Sequence, residues 1–319
     1  MNVNKVGASA ESDISSMNSP VPEWFRNALS APRAEGWTYS GGTRIHYFEW
    51  GDPSNPGILL THGFMAHSRC WAFIAPLLAD RYHLVAFDLS GMGDSGWRDS
   101  YSVDGRVLEA ESVADAVGMT RDNRKPFLVC HSYGGSVGLA AVEKSPDRWA
   151  GLIVCDMTMV APGQPLEFES QRKKRQERGV REHKVSVDLE TAKKRFRLAP
   201  EQPCENRFLM EYMALHSLKR IDAGWIWKFD PKIMGPDQER DANWWQSLSD
   251  RFAALQASKA VIYGEHSTMF GSTVAEYLNR NTKKFIPMVP IKASYHHIML
   301  DQPIGFSAAI DSLLQGFRE

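Results

Sequence analysis

The strongest chemical signal in the chain is the run FLVCHSYGGSVGLA, residues 127–140. A β-rich stretch passes into a small-residue helix through His131, Ser132, Tyr133, Gly134 and Gly135. A serine at a strand-to-helix turn can serve as a nucleophile. It needs small neighbours, because the turn is strained and the following helix packs closely on the strand. Compared with the G-x-S-x-G pattern, Cys130 stands for the first glycine and Gly134 keeps the second; cysteine is small enough to be tolerated there. Acyl chemistry at Ser132 also calls for donors to a developing oxyanion. LLTHGFMAHS, residues 59–68, offers one in the backbone N–H of Phe64, and the N–H of Tyr133 at the helix start is the second. The glycine-rich stretch from Asp88 to Trp97 lacks both the G-x-G-x-x-G spacing and a P-loop lysine, which sets nucleotide binding aside.

The elements that must position these residues alternate along the chain. Residues 37–51 read as a hairpin, 57–63 and 82–90 as strands around a helical stretch at 68–80, and 103–120 as a helix. Buried strands at 126–132 and 149–157 flank a helix at 133–144. The alternation stops near 159 and resumes with a strand at 259–265, a helix at 273–281, a strand near 283–292 and a closing helix at 304–317. Continuous apolar runs between helices indicate parallel strands covered on both faces. The pattern predicts a doubly wound α/β fold with a mostly parallel sheet and a helical cap insertion. The expected divisions are a disordered tail at 1–20, a core at 21–158 and 250–319, and a cap at 159–249.

With 43% apolar and 24% charged residues, the 319-residue chain can bury a sizeable core, which excludes fibrous and disordered classes. Lys plus Arg (37) balances Asp plus Glu (38), so neither nucleic acid nor an anionic membrane is an expected partner, and a small molecule is. No run of about 18 apolar residues exists, and the polar start does not read as a secretory signal. Cys70, Cys130, Cys155 and Cys204 lack C-x-x-C spacing. The expectation is a reduced cytoplasmic protein without disulfides, zinc, other metal or cofactor. Within the insertion, residues 171–197 hold eleven Lys or Arg against four Asp or Glu and read as a basic helical segment. That segment is either a solvated face or a device steering a carboxylate. Trp225, Trp227 and Phe229 suit an aromatic wall over a pocket and equally a small core of the cap itself.

From residue 37 to the end the chain resembles the α/β-hydrolase fold family in its capped form. The resemblance rests on His62-Gly63-Phe64, on residues 88–95 matching D-x-x-G-x-G-x-S, on the turn at Ser132, and on a late histidine before a helix. The family's G-H-x-x-x-x-E-x-P setting aligns its catalytic histidine with His296, with Tyr295 in place of the glycine and His297 as the competing neighbour. Most relatives place the triad acid in a G-E-x-D setting, where this chain has Ser267. A minority carry it at the end of the strand matching residues 149–157, which points to Asp156, with Glu265 in reserve. Asp156 could instead cap the chain's exit into the insertion.

The resemblance implies a serine esterase with Ser132 as nucleophile, His296 as proton carrier and Asp156 as acid. Phe64 and Tyr133 would supply the oxyanion hole, and His131, Trp225, Trp227 and His297 would line a pocket for a small or aromatic-acid ester. Dehalogenase and epoxide hydrolase chemistry requires an Asp where Ser132 stands. The alternatives are hydrolysis of a carbon–carbon bond in a ring-cleavage product and a non-catalytic ligand receptor on the same fold.

Overall fold

A computed structural model of the chain describes residues 4–5, 9–165, 177, 179–235, 242–282 and 284–318. Its strands, in chain order, are β1 (Asn4–Lys5), β2 (Ala34–Ser40), β3 (Thr43–Trp50), β4 (Gly57–Thr61), β5 (His83–Phe87), β6 (Phe127–His131), β7 (Gly151–Cys155), β8 (Leu218–Ile221), β9 (Gly224–Trp227), β10 (Ser258–Gly264) and β11 (Met288–Ile291). Nine of them form one sheet in the order β1-β2-β3-β5-β4-β6-β7-β10-β11. The pairings from β5 through β11 are parallel, while β1, β2 and β3 add an antiparallel edge. Strands β5, β6 and β7 are buried at every position, which is why they read as unbroken apolar runs rather than alternating ones.

Alternate side chains feed two core layers. Leu59, Leu128 and Leu152 pack on one face with the helices Val103–Ala116, Tyr133–Lys144 and Ala242–Ala254. Leu60, Val129 and Ile153 pack on the other with Glu23–Ser30 and Pro303–Gly316. Strand β4 lies between β5 and β6, so the chain leaves β4 toward one edge of the sheet and leaves β6 toward the other. Such a reversal opens a crevice at the carboxyl ends of the two strands, and the Thr61↔Cys130 pairing places the loops after β4 and β6 side by side there.

The insertion leaves after β7. Its described part contains the helices Leu189–Lys193 and Arg207–His216 and the β8–β9 hairpin. Helix Ala242–Ala254, which leads back into β10, runs across residue 249 and buries Leu248 and Phe252 in the core layer. Three expectations need correction. Residues 68–80 form two short 3-10 turns, Ser68–Trp71 and Ala75–Leu77, because Pro76 interrupts a continuous helix. The basic segment is helical only at Leu189–Lys193 within residues 179–197. Before it, Ser186 pairs with Trp225 of β9 among β-branched valines; residues 171–176 and 178 lie outside the described residues.

The third correction concerns the tail. Ser9–Ser15 is a helix, and Asp13 lies 3.2 Å from His216 and 4.0 Å from Arg69. The Glu211 carboxylate accepts hydrogen bonds from the Asn18 and Ser19 amides at 2.7 and 3.1 Å. These anchors are polar, so an apolar pattern could not reveal them. No helix among the described residues is long and apolar enough to cross a membrane.

Candidate active site

Ser132 follows β6 directly and begins the helix Tyr133–Lys144 with φ 52° and ψ −120°. That conformation is sparsely populated for a residue with a Cβ. The surroundings hold it: the Ser132 amide donates to the Cys155 carbonyl at 2.9 Å, and its own carbonyl accepts from the Gly135 amide at 2.8 Å. The helix comes so close to β4 that a Cβ on Gly134 would lie 2.7 Å from the His62 carbonyl oxygen. Cys130 is accommodated in the same way, since a Cβ on Gly138 would lie 2.7 Å from its Sγ. A glycine one helical turn later thus supplies the room that the missing first glycine of the motif would have given.

The loop after β4 lies against this turn. A Cβ on Gly63 would come within 3.2 Å of the Ser132 Cβ, and Phe64 meets the Tyr133 ring edge-on with centroids 5.7 Å apart. His62 braces the loop, donating from Nδ1 to the Gly63 carbonyl at 2.8 Å and accepting the Leu89 amide at Nε2 at 3.1 Å. The two bonds fix one neutral tautomer, and burial pushes the His62 pKa down. Tyr133 is the first helical residue, so its N–H lies at the positive end of the helix dipole.

Asp156 directly follows β7 with φ 50° and is fully buried. Its Oδ2 accepts the His296 Nδ1–H at 2.6 Å and the Ser267 hydroxyl at 2.5 Å, and its Oδ1 accepts the Gly264 amide at 3.3 Å. Ser267, at the position where most of the family carries the acid, therefore serves as a hydrogen-bond donor to an acid on the neighbouring strand. Glu265 lies apart: its Oε2 accepts the Ala293 amide at 3.1 Å, and no hydrogen bond joins it to His296 among the described residues.

His131 ties the two halves together. Its Nε2–H donates to the His296 carbonyl at 2.9 Å, and the two rings lie 4.9 Å apart. Burial, reinforced by His296, pushes the His131 pKa down to about 3, so this ring is a neutral tether. The His297 ring packs 5.0 Å from His296, and burial holds it too in the neutral form.

A cavity of about 190 Å³ opens beside these residues. Phe64, His131, His297, Phe196, Met213 and Trp227 are on its wall; Trp225, two residues along β9, is not, and it pairs with Ser186 instead. Arg195, Arg197 and Lys228 also border the cavity. Arg195 donates to the Lys184 carbonyl and the Ser186 hydroxyl, Arg197 to the Lys194 and Phe196 carbonyls, and Lys228 pairs with Asp94 at 2.7 Å. Sequence reasoning missed the tether through His131 and the support from Ser267. Both depend on contacts between strands far apart in sequence, and no local pattern marks them.

The family model described as the alpha/beta hydrolase family matches residues 58–309. An uncharacterised hydrolase of Saccharomyces cerevisiae is 31% identical over 115 residues, which is 35% of this chain and 38% of that protein. Monoacylglycerol lipase abhd6-B of Xenopus laevis is 31% identical over 127 residues, 38% of this chain and 37% of that protein. The chain thus spans well under half the length of these relatives. The crystal structure of E-2-(acetamidomethylene)succinate hydrolase superposes with a TM-score of 0.72 at 19% identity, covering 88% of this chain and 98% of that one. With a family model matched across most of its length and the same sheet beneath its insertion, the chain belongs to the alpha/beta hydrolase family.

Proposed function

We propose that the chain is a serine hydrolase that cleaves a small carboxylic ester through an acyl-enzyme. The observation that carries this reading is the buried 2.6 Å bond between His296 and Asp156, tethered through His131 to the turn that holds Ser132. In this reading His296 takes the Ser132 hydroxyl proton at Nε2 as Oγ attacks the ester carbonyl. Among the described residues no hydrogen bond engages that Nε2. Asp156 keeps the Nδ1–H in place and stabilises the imidazolium that forms; the Phe64 and Tyr133 N–H groups receive the oxyanion. The proton then passes to the leaving alcohol, and water repeats the cycle on the acyl-enzyme.

The strained φ of Ser132 supports this assignment, because strain at a residue with a Cβ persists only where the surroundings enforce it. A cavity of about 190 Å³ with an aromatic and aliphatic wall suits a group the size of one ring, which supports a small or aromatic-acid ester. Hydrolysis of a panel of short-chain, long-chain and aromatic-acid esters by the purified protein, with Ser132→Ala as the comparison, tests the reading. Equal turnover by the two proteins would overturn it.

A further inference from the structure

Three backbone groups around His296 are held by side chains. The Tyr295 amide donates to Asp301 Oδ2 at 2.8 Å, the His296 carbonyl accepts from His131, and the His297 amide donates to Gln202 Oε1 at 2.8 Å. The last of these comes from the insertion. Gln202 also reaches Asp301, with its Nε2 at 2.9 Å from Oδ2 and 3.1 Å from Oδ1. The orientation of its amide is forced, because a carboxylate only accepts and a backbone N–H only donates. Four residues on, Asn206 donates from Nδ2 to the Leu300 and Asp301 carbonyls at 2.7 and 3.0 Å. The stretch 202–206 leads straight into helix Arg207–His216, whose Met213 is on the cavity wall.

We propose that Gln202 is a positioning residue for His296, coupling the seating of the insertion to the placement of the base by joining Asp301 to the His297 amide. This rests on the reading of His296 as the proton carrier. A loop of this kind, held only by its own chain, would let the imidazole wander by fractions of an ångström, and proton transfer is sensitive to such displacement. The clasp works because Gln202 offers a donor and an acceptor at once; no single-headed side chain can bridge both groups.

The environment of Asp301 makes the clasp testable by pH. Its carboxyl group accepts from the Gln202 amide of the insertion and the Tyr295 amide of its own loop, which also carries His296 and His297, and the Cys204 thiol of the insertion lies 3.9 Å from the adjoining Leu300 carbonyl. Arg207 and Glu205 act on Cys204, and no cation pairs with Asp301 among the described residues. Burial pushes the Asp301 pKa up to about 6.

The test uses two variants of the full chain. Gln202→Met keeps length and removes both bonds; kcat on an activated ester should fall about tenfold with KM within about twofold, as expected for a lost positioning contact. Gln202→Glu can imitate the amide only while a proton is shared between the introduced carboxyl group and Asp301, since the protonated oxygen then donates and the other accepts. The ratio of its kcat to that of the wild type should therefore approach one as pH falls toward about 5 and drop several-fold above about pH 7, where like charges meet. A purely structural role would lower stability without moving that ratio.

A second readout needs no substrate: the His296 Nδ1 proton, followed by NMR, should exchange with water about tenfold faster in Gln202→Met. A pH-independent ratio for Gln202→Glu, or unchanged exchange together with unchanged kcat in Gln202→Met, would overturn the proposal. Should Gln202→Met fail to fold, the Gln202→Glu ratio decides. Should the wild type hydrolyse no ester, the esterase reading fails, and proton exchange decides the positioning role separately.

Discussion

Among the described residues, two buried aspartates that directly follow sheet strands, Asp156 and Asp88, each pair with a histidine, and the two pairs differ in what meets the second ring nitrogen. In His296–Asp156 the Nδ1 bond is 2.6 Å long, and Nε2 makes no hydrogen bond among the described residues. In His46–Asp88, His46 bonds Asp88 through Nδ1 at 2.8 Å and Glu35 through Nε2 at 2.9 Å. Burial opposes a charge on His46, but the two carboxylates outweigh it and push its pKa up to about 9. His46 in turn pulls Asp88 below the ordinary carboxylate range despite burial. Asp88 also accepts the Ser68 and Asp94 amides at 2.6 and 2.9 Å, so this pair pins the loops around the crevice. An imidazole flanked by two carboxylates is a fixed cation and a structural clamp. An imidazole flanked by one keeps a nitrogen for proton transfer.

The largest expected effect separates the two pairs outright. Ser132→Ala should lower kcat by about 10⁴ or more with the fold intact, and His296→Ala should match it, whereas His297→Ala should not. Retention of more than about a tenth of wild-type kcat by Ser132→Ala would remove the nucleophile. Replacing His46 should act in the opposite sense, lowering the urea midpoint while active-site titration shows turnover per folded molecule within a few-fold of normal. Relief of the positive φ gives an independent check: Ser132→Gly should lose turnover and gain roughly 1 kcal/mol in stability.

Next in size is the choice of acid. Asp156→Asn should cost roughly 10² to 10⁴ in kcat, because the amide favours the wrong tautomer of His296. Glu265→Gln should leave kcat near normal and cost less than about 1 kcal/mol, the worth of one exposed backbone contact. Near-normal turnover in the first with collapse in the second would reverse the assignment.

A smaller effect is a pH dependence of stability from His46. Its folded pKa of about 9 lies above the ordinary 6.5. Its contribution is therefore complete below about pH 6.5 and lost as pH rises through about 9, on the order of 3 kcal/mol in all. Urea unfolding across that window measures it. Glu35→Gln removes one of the two carboxylates and should move the loss to lower pH; an unmoved limb would mean that another group titrates. The smallest contrast lies in the cap, where Trp227→Ala should shift KM and chain-length preference several-fold and Trp225→Ala should shift them little, since only Trp227 borders the cavity.

Much of the candidate site is legible in the sequence because its parts are local. The strand, turn and helix around Ser132 are contiguous, and so are the loop at Gly63 and the strand that precedes Asp156. Chain order and a buried run of apolar residues suffice to place each at the carboxyl end of a strand. The helical reading of the basic segment failed where β-branched residues could pair across to β9, an interaction invisible to charge counting. The seating of residues 9–19 is not legible in the sequence because it depends on distant partners such as His216 and Glu211, the latter 193 residues beyond Asn18.

Composition and local pattern alone determined an α/β chain with a strained serine turn and an insertion leaving after the strand that precedes Asp156. Only the tertiary structure decided which histidine meets which carboxylate. Motif settings set His62 and His296 apart in the sequence, but nothing local says which groups meet the ring nitrogens of His46, His131 and His297. Their roles follow from what occupies each ring nitrogen once strands far apart in sequence are paired: a carboxylate on both sides for His46, backbone groups for His62, and one carboxylate for His296. Hydrogen bonds of that kind are set by register and loop path across the whole sheet.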